Sequence, residues 1–348
     1  MSDLGDIGQR IRKRRLALNL TQDALAERAN VSRALVGAVE RGRHIPAADA
    51  AIRLSRELDS TVERLFGTPQ PEAALHAIAV LGADITDGAL VRTSQVAQTT
   101  VARVLDRVAA LSPTGATADG VVLNGRVRLF AGASPGGAVI AGCDPVLGIA
   151  EGLLDRSGDA RIVAVPATSG QALDALEQGR SHAALVHGPP RSLQGRPGIQ
   201  RWHVARWRSG IATHTGLSRP SLQALLGDEA PLLIGRERTA ACQQAVDRAA
   251  RRLGAGPVRP RRTAAGHLDA ARAAVEHRAA AVTIEPFALA LGLDFCELEI
   301  HDVELWVLDA WVAHSGVRAL LDLLTTASFR DRAGSLPAYD LTDTGAAR

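Results

Sequence analysis

The chain has 348 residues, 46% of them hydrophobic, and 40 Lys and Arg stand against 37 Asp and Glu for a net charge of +3. At about 150 residues per domain this length implies two domains, and so mild a charge leaves a nucleic-acid partner to be decided by where the cations lie. Lys13, in Arg12-Lys13-Arg14-Arg15, is the sole lysine, which excludes a Schiff-base lysine and a Walker A loop from the rest of the chain. Cys143, Cys242 and Cys296 form no Cys-x-x-Cys pair, so neither a disulfide framework nor a zinc ribbon is expected. The start lacks a basic segment followed by an apolar one, and no apolar run reaches membrane-spanning length. The expectation is a reduced, soluble, cytoplasmic protein with no membrane partner, no metal and no cofactor.

Ile7, Ile11 and Leu18 share one face of a first helix, and Arg15 lies on that same inward face. Thr21 is placed to cap a second helix whose Leu25 and Ala29 turn inward. Asn30-Val31-Ser32 forms a tight turn, Ser32 caps a third helix, and Gly42 ends it. Two short helices joined in this way form the unit that lays its second helix in a major groove.

The segments Ile7-Gly8-Gln9-Arg10-Ile11-Arg12, Leu20-Thr21-Gln22-Asp23-Ala24-Leu25-Ala26, Val31-Ser32-Arg33 and Val39-Glu40-Arg41-Gly42 together resemble a Xre/Cro-type helix-turn-helix domain over residues 5–66. The resemblance implies double-stranded DNA as partner. It places Gln22 on a phosphate, and Ser32, Arg33, Ala34, Ala38 and Arg43 at the groove. Arg15 and Glu40 would be an inward-facing ion pair. Only Ser32 and Arg33 of the third helix can hydrogen-bond base edges, so useful specificity calls for a homodimer on two half-sites.

Gly67-Thr68-Pro69-Gln70-Pro71 breaks the helical run. Residues 67–119 read as a connector, with strands at Ala77–Leu81 and Ala89–Arg92. A helix would follow through Val101, Val104, Leu105, Val108 and Leu111.

From residue 120 to 345 strands alternate with helices. Val127–Ala131, Ala138–Ala141, Arg161–Pro166 and Ala183–Val186 are strand-like. Helices are expected at Val146–Leu154 and Gln171–Gln178. Pro231–Ile234, Ala240–Leu253, Ala265–His277 and Ala280–Ile284 repeat the logic. The chain returns through Phe295–Val307 to a terminal helix, Val317–Thr325. Parallel strands of this kind bind ligands beyond their carboxyl ends. The fold class is therefore an all-α head followed by an α/β two-lobed, periplasmic-binding-protein-like (type II) domain.

The runs Gly142-Cys143-Asp144-Pro145-Val146-Leu147-Gly148, Leu176-Glu177-Gln178-Gly179, Ala183-Ala184-Leu185-Val186-His187 and Leu289-Ala290-Leu291-Gly292-Leu293-Asp294-Phe295 resemble the solute-binding-like domain related to molybdate-binding proteins. The ending Leu336-Pro337-Ala338-Tyr339-Asp340 fits the same pattern. The resemblance implies a ligand between lobes, held by Cys143, Asp144, Thr168, Ser169, Arg236, Arg238, Thr239 and Glu285. Arg238-Thr239-Ala240-Ala241 stands where the relatives carry a Gly-Ser-Gly-Thr-like loop, so an oxyanion and a small organic molecule both remain open as effectors.

The expected function is a DNA-binding transcription regulator whose body senses a small ligand. The alternatives are a body used only for dimerisation, and an enzyme with Cys143 as nucleophile and His182 or His187 as base.

Overall fold

Thr21 and Ser32 do what short hydroxyl side chains do at helix starts: each accepts a backbone N–H of the first turn, from Ala24 and Leu35 respectively. The computed structural model describes residues 3–66, 74–75, 86–105, 118–133, 135–158, 160–215, 222–225 and 232–348. The chain divides into two units, Met1–Ala73 and Ala74–Arg348.

The first unit comprises α1 (Asp3–Ala17), α2 (Gln22–Arg28), α3 (Arg33–Glu40), α4 (Ala48–Glu57) and α5 (Val62–Phe66). Ile7, Ile11, Leu25, Val36, Val39, Leu54 and Leu58 make its core. A Cβ on Gly8 would collide with the Glu40 carbonyl oxygen, so the α1–α3 approach requires glycine there.

The second unit holds two sheets. The smaller is antiparallel in the order β1-β5-β4-β2-β3, from β1 (Ala74–Leu75), β2 (Leu90–Val96), β3 (Thr99–Val104), β4 (Gly120–Leu123) and β5 (Arg126–Leu129). The expected helix through Val101 and Val104 is thus a strand, paired with β2 from Val91↔Val104 to Val96↔Thr99. Thr99, Thr100, Val101 and Val104 are β-branched, and both faces of the strand are covered. Val101 packs with Val139 and Val163, whereas Ala102 packs with Val122 and Val127. Double-sided burial produces a run of apolar residues that imitates a helical stripe. Val108, Leu111 and the expected strand Ala77–Leu81 lie outside the described residues. Of the stretch read as a connector, the described residues 90–104 thus form two paired strands, and ion pairs tie them to the helix Val146–Ser157. Arg92 donates to both Asp155 oxygens (2.9 and 3.1 Å), and Glu151 accepts from Arg103 at 2.6 Å.

The larger sheet runs β11-β10-β12-β9-β13-β8-β6-β7. In the first lobe β6 (Ala138–Gly142) is parallel to β7 (Ile162–Pro166) and β8 (Ala183–Gly188). In the second, β10 (Leu233–Gly235) is parallel to β11 (Arg262–Thr263) and β12 (Ala280–Ile284). The 15-residue strands β9 (Ile199–Thr213) and β13 (Asp294–Leu308) run antiparallel to each other through both lobes. Sequence reasoning identified β13 and left β9 unassigned. The C-terminal tail returns to β9, where Asp340 N and Arg206 O, and Arg206 N and Asp340 O, bond reciprocally.

Candidate functional site

In the first unit Arg15 grips Glu40 with two nitrogens, Nε at 2.6 Å and Nη2 at 3.0 Å, and donates Nη1 to the Leu20 carbonyl. Gln22, expected on a phosphate, donates its amide to Glu40 Oε2 at 2.7 Å. Burial alone would raise the Glu40 pKa, but the hydrogen bonds from Arg15 and Gln22 outweigh it and hold the carboxyl below its usual range. Ser32, Arg33, Ala34 and Arg43 are exposed and Ala38 is half-buried. Arg33 Nε lies 3.1 Å from Asp23 in an exposed pair, an interaction too weak to hold the guanidinium from another partner.

In the second unit a cleft of about 190 Å³ opens between the lobes. Cys143 and Thr168 line it from the first lobe, and Glu237, His267, Asp269 and Phe287 from the second. Each strand delivers its carboxyl end there: Cys143 follows β6, Thr168 follows β7, and His267 begins the helix after β11.

Of the other expected ligand residues, Asp144, Ser169, Arg236 and Glu285 hold partners within the fold, and Arg238 and Thr239 are outside the cleft lining. Asp144 is buried and accepts from Val146 N (2.9 Å), Trp207 Nε1 (2.8 Å) and Tyr339 OH (2.7 Å). Ser169 Oγ is tied to the backbone of His187, accepting from its N–H at 3.0 Å. Arg236 is buried, donating to the Ala264 and Ala265 carbonyls and to His267 Nδ1 at 2.8 Å. Arg238 and Thr239 are exposed; Arg238 lines a separate depression with Arg259 and Pro260. Glu285 accepts from Arg208 at 2.8 Å.

Behind the cleft stands a cluster that motif reading did not assemble. Cys143 Sγ lies 3.3 Å from His187 Nε2 and 3.5 Å from His267 Nε2. His187 Nδ1 is 3.1 Å from His301 Nδ1, and His301 Nε2 is 3.4 Å from Glu299. Trp207 packs on the rings of His187 and His301. Burial pushes the Cys143 thiol up to about 12 and both His187 and His267 well below the usual histidine value. Burial thus favours the neutral form of His187 and His267. The one available signal was the alternation Val303, Leu305, Val307 on β13, whose continuation toward residue 299 brings His301 into register with Trp207.

A helix-turn-helix family model matches residues 11–65, and one described as the PBP superfamily domain matches residues 150–325, half of the chain. The chain belongs to the PBP superfamily. No curated protein matches the sequence. Among solved structures, the restriction-modification controller protein C.AhdI from Aeromonas hydrophila is 36% identical over 19% of this chain and 100% of its own, with a TM-score of 0.19. The P22 c2 repressor, solved with a synthetic operator, is 32% identical over 18% of this chain and 94% of its own, with a TM-score of 0.17. The effector-binding domain of a BenM variant is 12% identical over 58% of this chain and 97% of its own, with a TM-score of 0.41.

In this PBP-superfamily unit His182 is separate from the cleft. It is buried against Trp311 and His314, and its Nδ1 accepts from Val139 N at 2.9 Å. Its partners are structural, and of the two histidines weighed as a base only His187 approaches Cys143. Among the described residues no helix is long and apolar enough to cross a membrane.

Proposed function

We propose that the chain is a one-component transcription regulator. Its helix-turn-helix unit binds double-stranded DNA, and its two-lobed unit binds a small effector in the cleft between Cys143 and His267. The observation that carries the reading is the pairing of the two: a recognition helix with exposed Ser32, Arg33 and Ala34, and an interlobe cleft at the carboxyl ends of parallel strands. The few base-reading side chains on α3 support a homodimer on two half-sites, acting in the cytoplasm. Among the described residues, the cleft lining presents the Glu237 and Asp269 carboxylates and no arginine or lysine. That lining favours a neutral or cationic effector over an oxyanion, and the buried Arg236 and exposed Arg238 do not change it.

The test begins with operator selection from a random DNA pool. Arg33→Ala is expected to cost about 1–3 kcal/mol on the selected sequence and to relax one position per half-site. Equal losses on selected and random DNA would remove α3 from the groove. A metabolite screen by thermal shift should return a compound that stabilises the full chain by ~2.7 kcal/mol at about 100 times its dissociation constant. Ala265→Trp, at the cleft wall, should abolish that shift. A full shift in this variant places the effector elsewhere.

A further inference from the structure

Sulfur and imidazole nitrogen are the donors that d10 cations prefer, with M–S near ~2.3 Å and M–N near ~2.0–2.1 Å. Around one tetrahedral ion those bond lengths separate neighbouring ligand atoms by about 3.3–3.6 Å. Cys143 Sγ stands 3.3 Å from His187 Nε2 and 3.5 Å from His267 Nε2, and all three atoms lie within 4.8 Å of one another. They come from three segments: the loop after β6, strand β8, and the helix His267–His277. Two belong to the first lobe and one to the second. From this convergence we infer that Cys143, His187 and His267 bind a d10 metal ion, Zn2+ or Cu+, with a further position open to the cleft.

The cleft supplies an independent argument. Cys143 and His267 are part of its wall, so an ion held by them faces the solvent-filled space. Glu237 and Asp269 line the same space, and a field of carboxylates attracts a cation.

Groups behind the ligands complete the site. With His187 donating from Nδ1 to His301, and His301 from Nε2 to Glu299, the Nε2 lone pair of His187 faces the sulfur. Such carboxylate–histidine chains orient metal-binding imidazoles. His267 differs, since its Nδ1 accepts from Arg236 and its Nε2 carries the proton in the metal-free protein. The ion displaces that proton and the thiol proton, both released to water. Zn2+ with one thiolate, one imidazolate and one neutral imidazole is uncharged as a set. With Cu+ the set carries one negative charge, which the fixed Arg236 guanidinium balances.

The site deepens the sensing reading by naming the effector class, and it rests on that reading only for the effect on DNA. An ion bridging the lobes would hold the cleft in one state of closure.

The test uses the full chain, stripped by chelator and titrated anaerobically with Co2+ as a Zn2+ surrogate, or with Cu+ against a chromogenic Cu+ chelator. One ion per chain and a thiolate-to-cobalt charge-transfer band are expected. Both should be lost in Cys143→Ser and kept in Cys296→Ser. His187→Gln and His267→Gln should each weaken binding at least ~10-fold. Circular dichroism of each variant separates loss of ligand from loss of fold. A band that survives Cys143→Ser, or that disappears instead in Cys242→Ser, overturns the assignment, as does failure to retain either ion. A charge-transfer band without any change in operator affinity supports the site and removes the metal from the sensing mechanism.

Discussion

Replacing Glu40 by alanine is expected to lower the stability of the helix-turn-helix unit by about 3–5 kcal/mol, because it strands the buried Arg15 guanidinium. Arg15 keeps only the Leu20 carbonyl for its five N–H groups, and the Gln22 amide loses its acceptor as well. For a unit of this size the midpoint should fall by more than ~10 °C. Glu27, which is exposed, provides the comparison: Glu27→Ala should stay within ~0.5 kcal/mol of the parent. The measurement can be made on the whole chain, since Trp202, Trp207, Trp306 and Trp311 all lie in the second unit. The helical dichroism of the first unit should therefore melt early while the tryptophan transition stays in place. Matching dichroism midpoints for Glu40→Ala and Glu27→Ala would refute the pairing.

The same pair sets an acid limit. The Glu40 carboxyl is depressed in the folded state, so its contribution is fully present above the ordinary carboxylate range. It is lost as pH falls through the folded value, where the native carboxylate must finally take a proton. In Glu40→Gln that part of the acid limb should be absent.

How far the sequence could be read depended on whether local spacing or distant partners decided each feature. Caps and periodicity are local, so Thr21, Ser32 and the inward faces of α1 and α3 were legible. The Arg15–Glu40 geometry was legible only through the helix-turn-helix resemblance, since nothing local places residues 25 apart in contact. Strands β6, β7, β8 and β12 followed from short apolar runs between turns. β3 did not, because burial on both faces erased its alternation and left spacing that a helix would share. β9 was missed for a related reason. Arg201, Arg206 and Arg208 interrupt its apolar residues, and their partners Glu304, Asp302 and Glu285 are far along the chain.

The cleft residues divide in the same way. Cys143 and Thr168, named through the solute-binding-like resemblance, line the cleft at the ends of β6 and β7. Arg236 was expected to meet the ligand through the same resemblance. Its side chain instead turns back beneath the loop of Ala264 and Ala265, whose carbonyls need a donor. His267 and His301 carry no motif: His301 reaches His187 because β13 pairs with β8, and His267 reaches Cys143 from the start of the helix His267–His277.

Asp144 is where the sequence expectation and the structure part most sharply, and Asp144→Ala is the variant that separates them. As a ligand residue its loss would abolish effector binding and leave the fold intact. In the structure its two oxygens satisfy Trp207 Nε1, Tyr339 OH and Val146 N, all within 2.9 Å. Alanine would leave the Trp207 and Tyr339 donors without acceptors in a buried site, at about 1–3 kcal/mol each. Tyr339 also fixes the tail whose Asp340 and Ala346 pair with β9, so detachment of the tail should add to the loss. A fall of about 3–6 kcal/mol in the tryptophan-detected transition is expected, with the melting of the first unit unchanged. Asp144→Asn should cost less. Its oxygen can serve Trp207, and its amide can donate to the Tyr339 oxygen, leaving mainly Val146 N unmet. Trp207 lies in this network, so its emission should also shift in the native state of Asp144→Ala. An unchanged tryptophan midpoint together with lost effector binding would return Asp144 to the role that the sequence suggested.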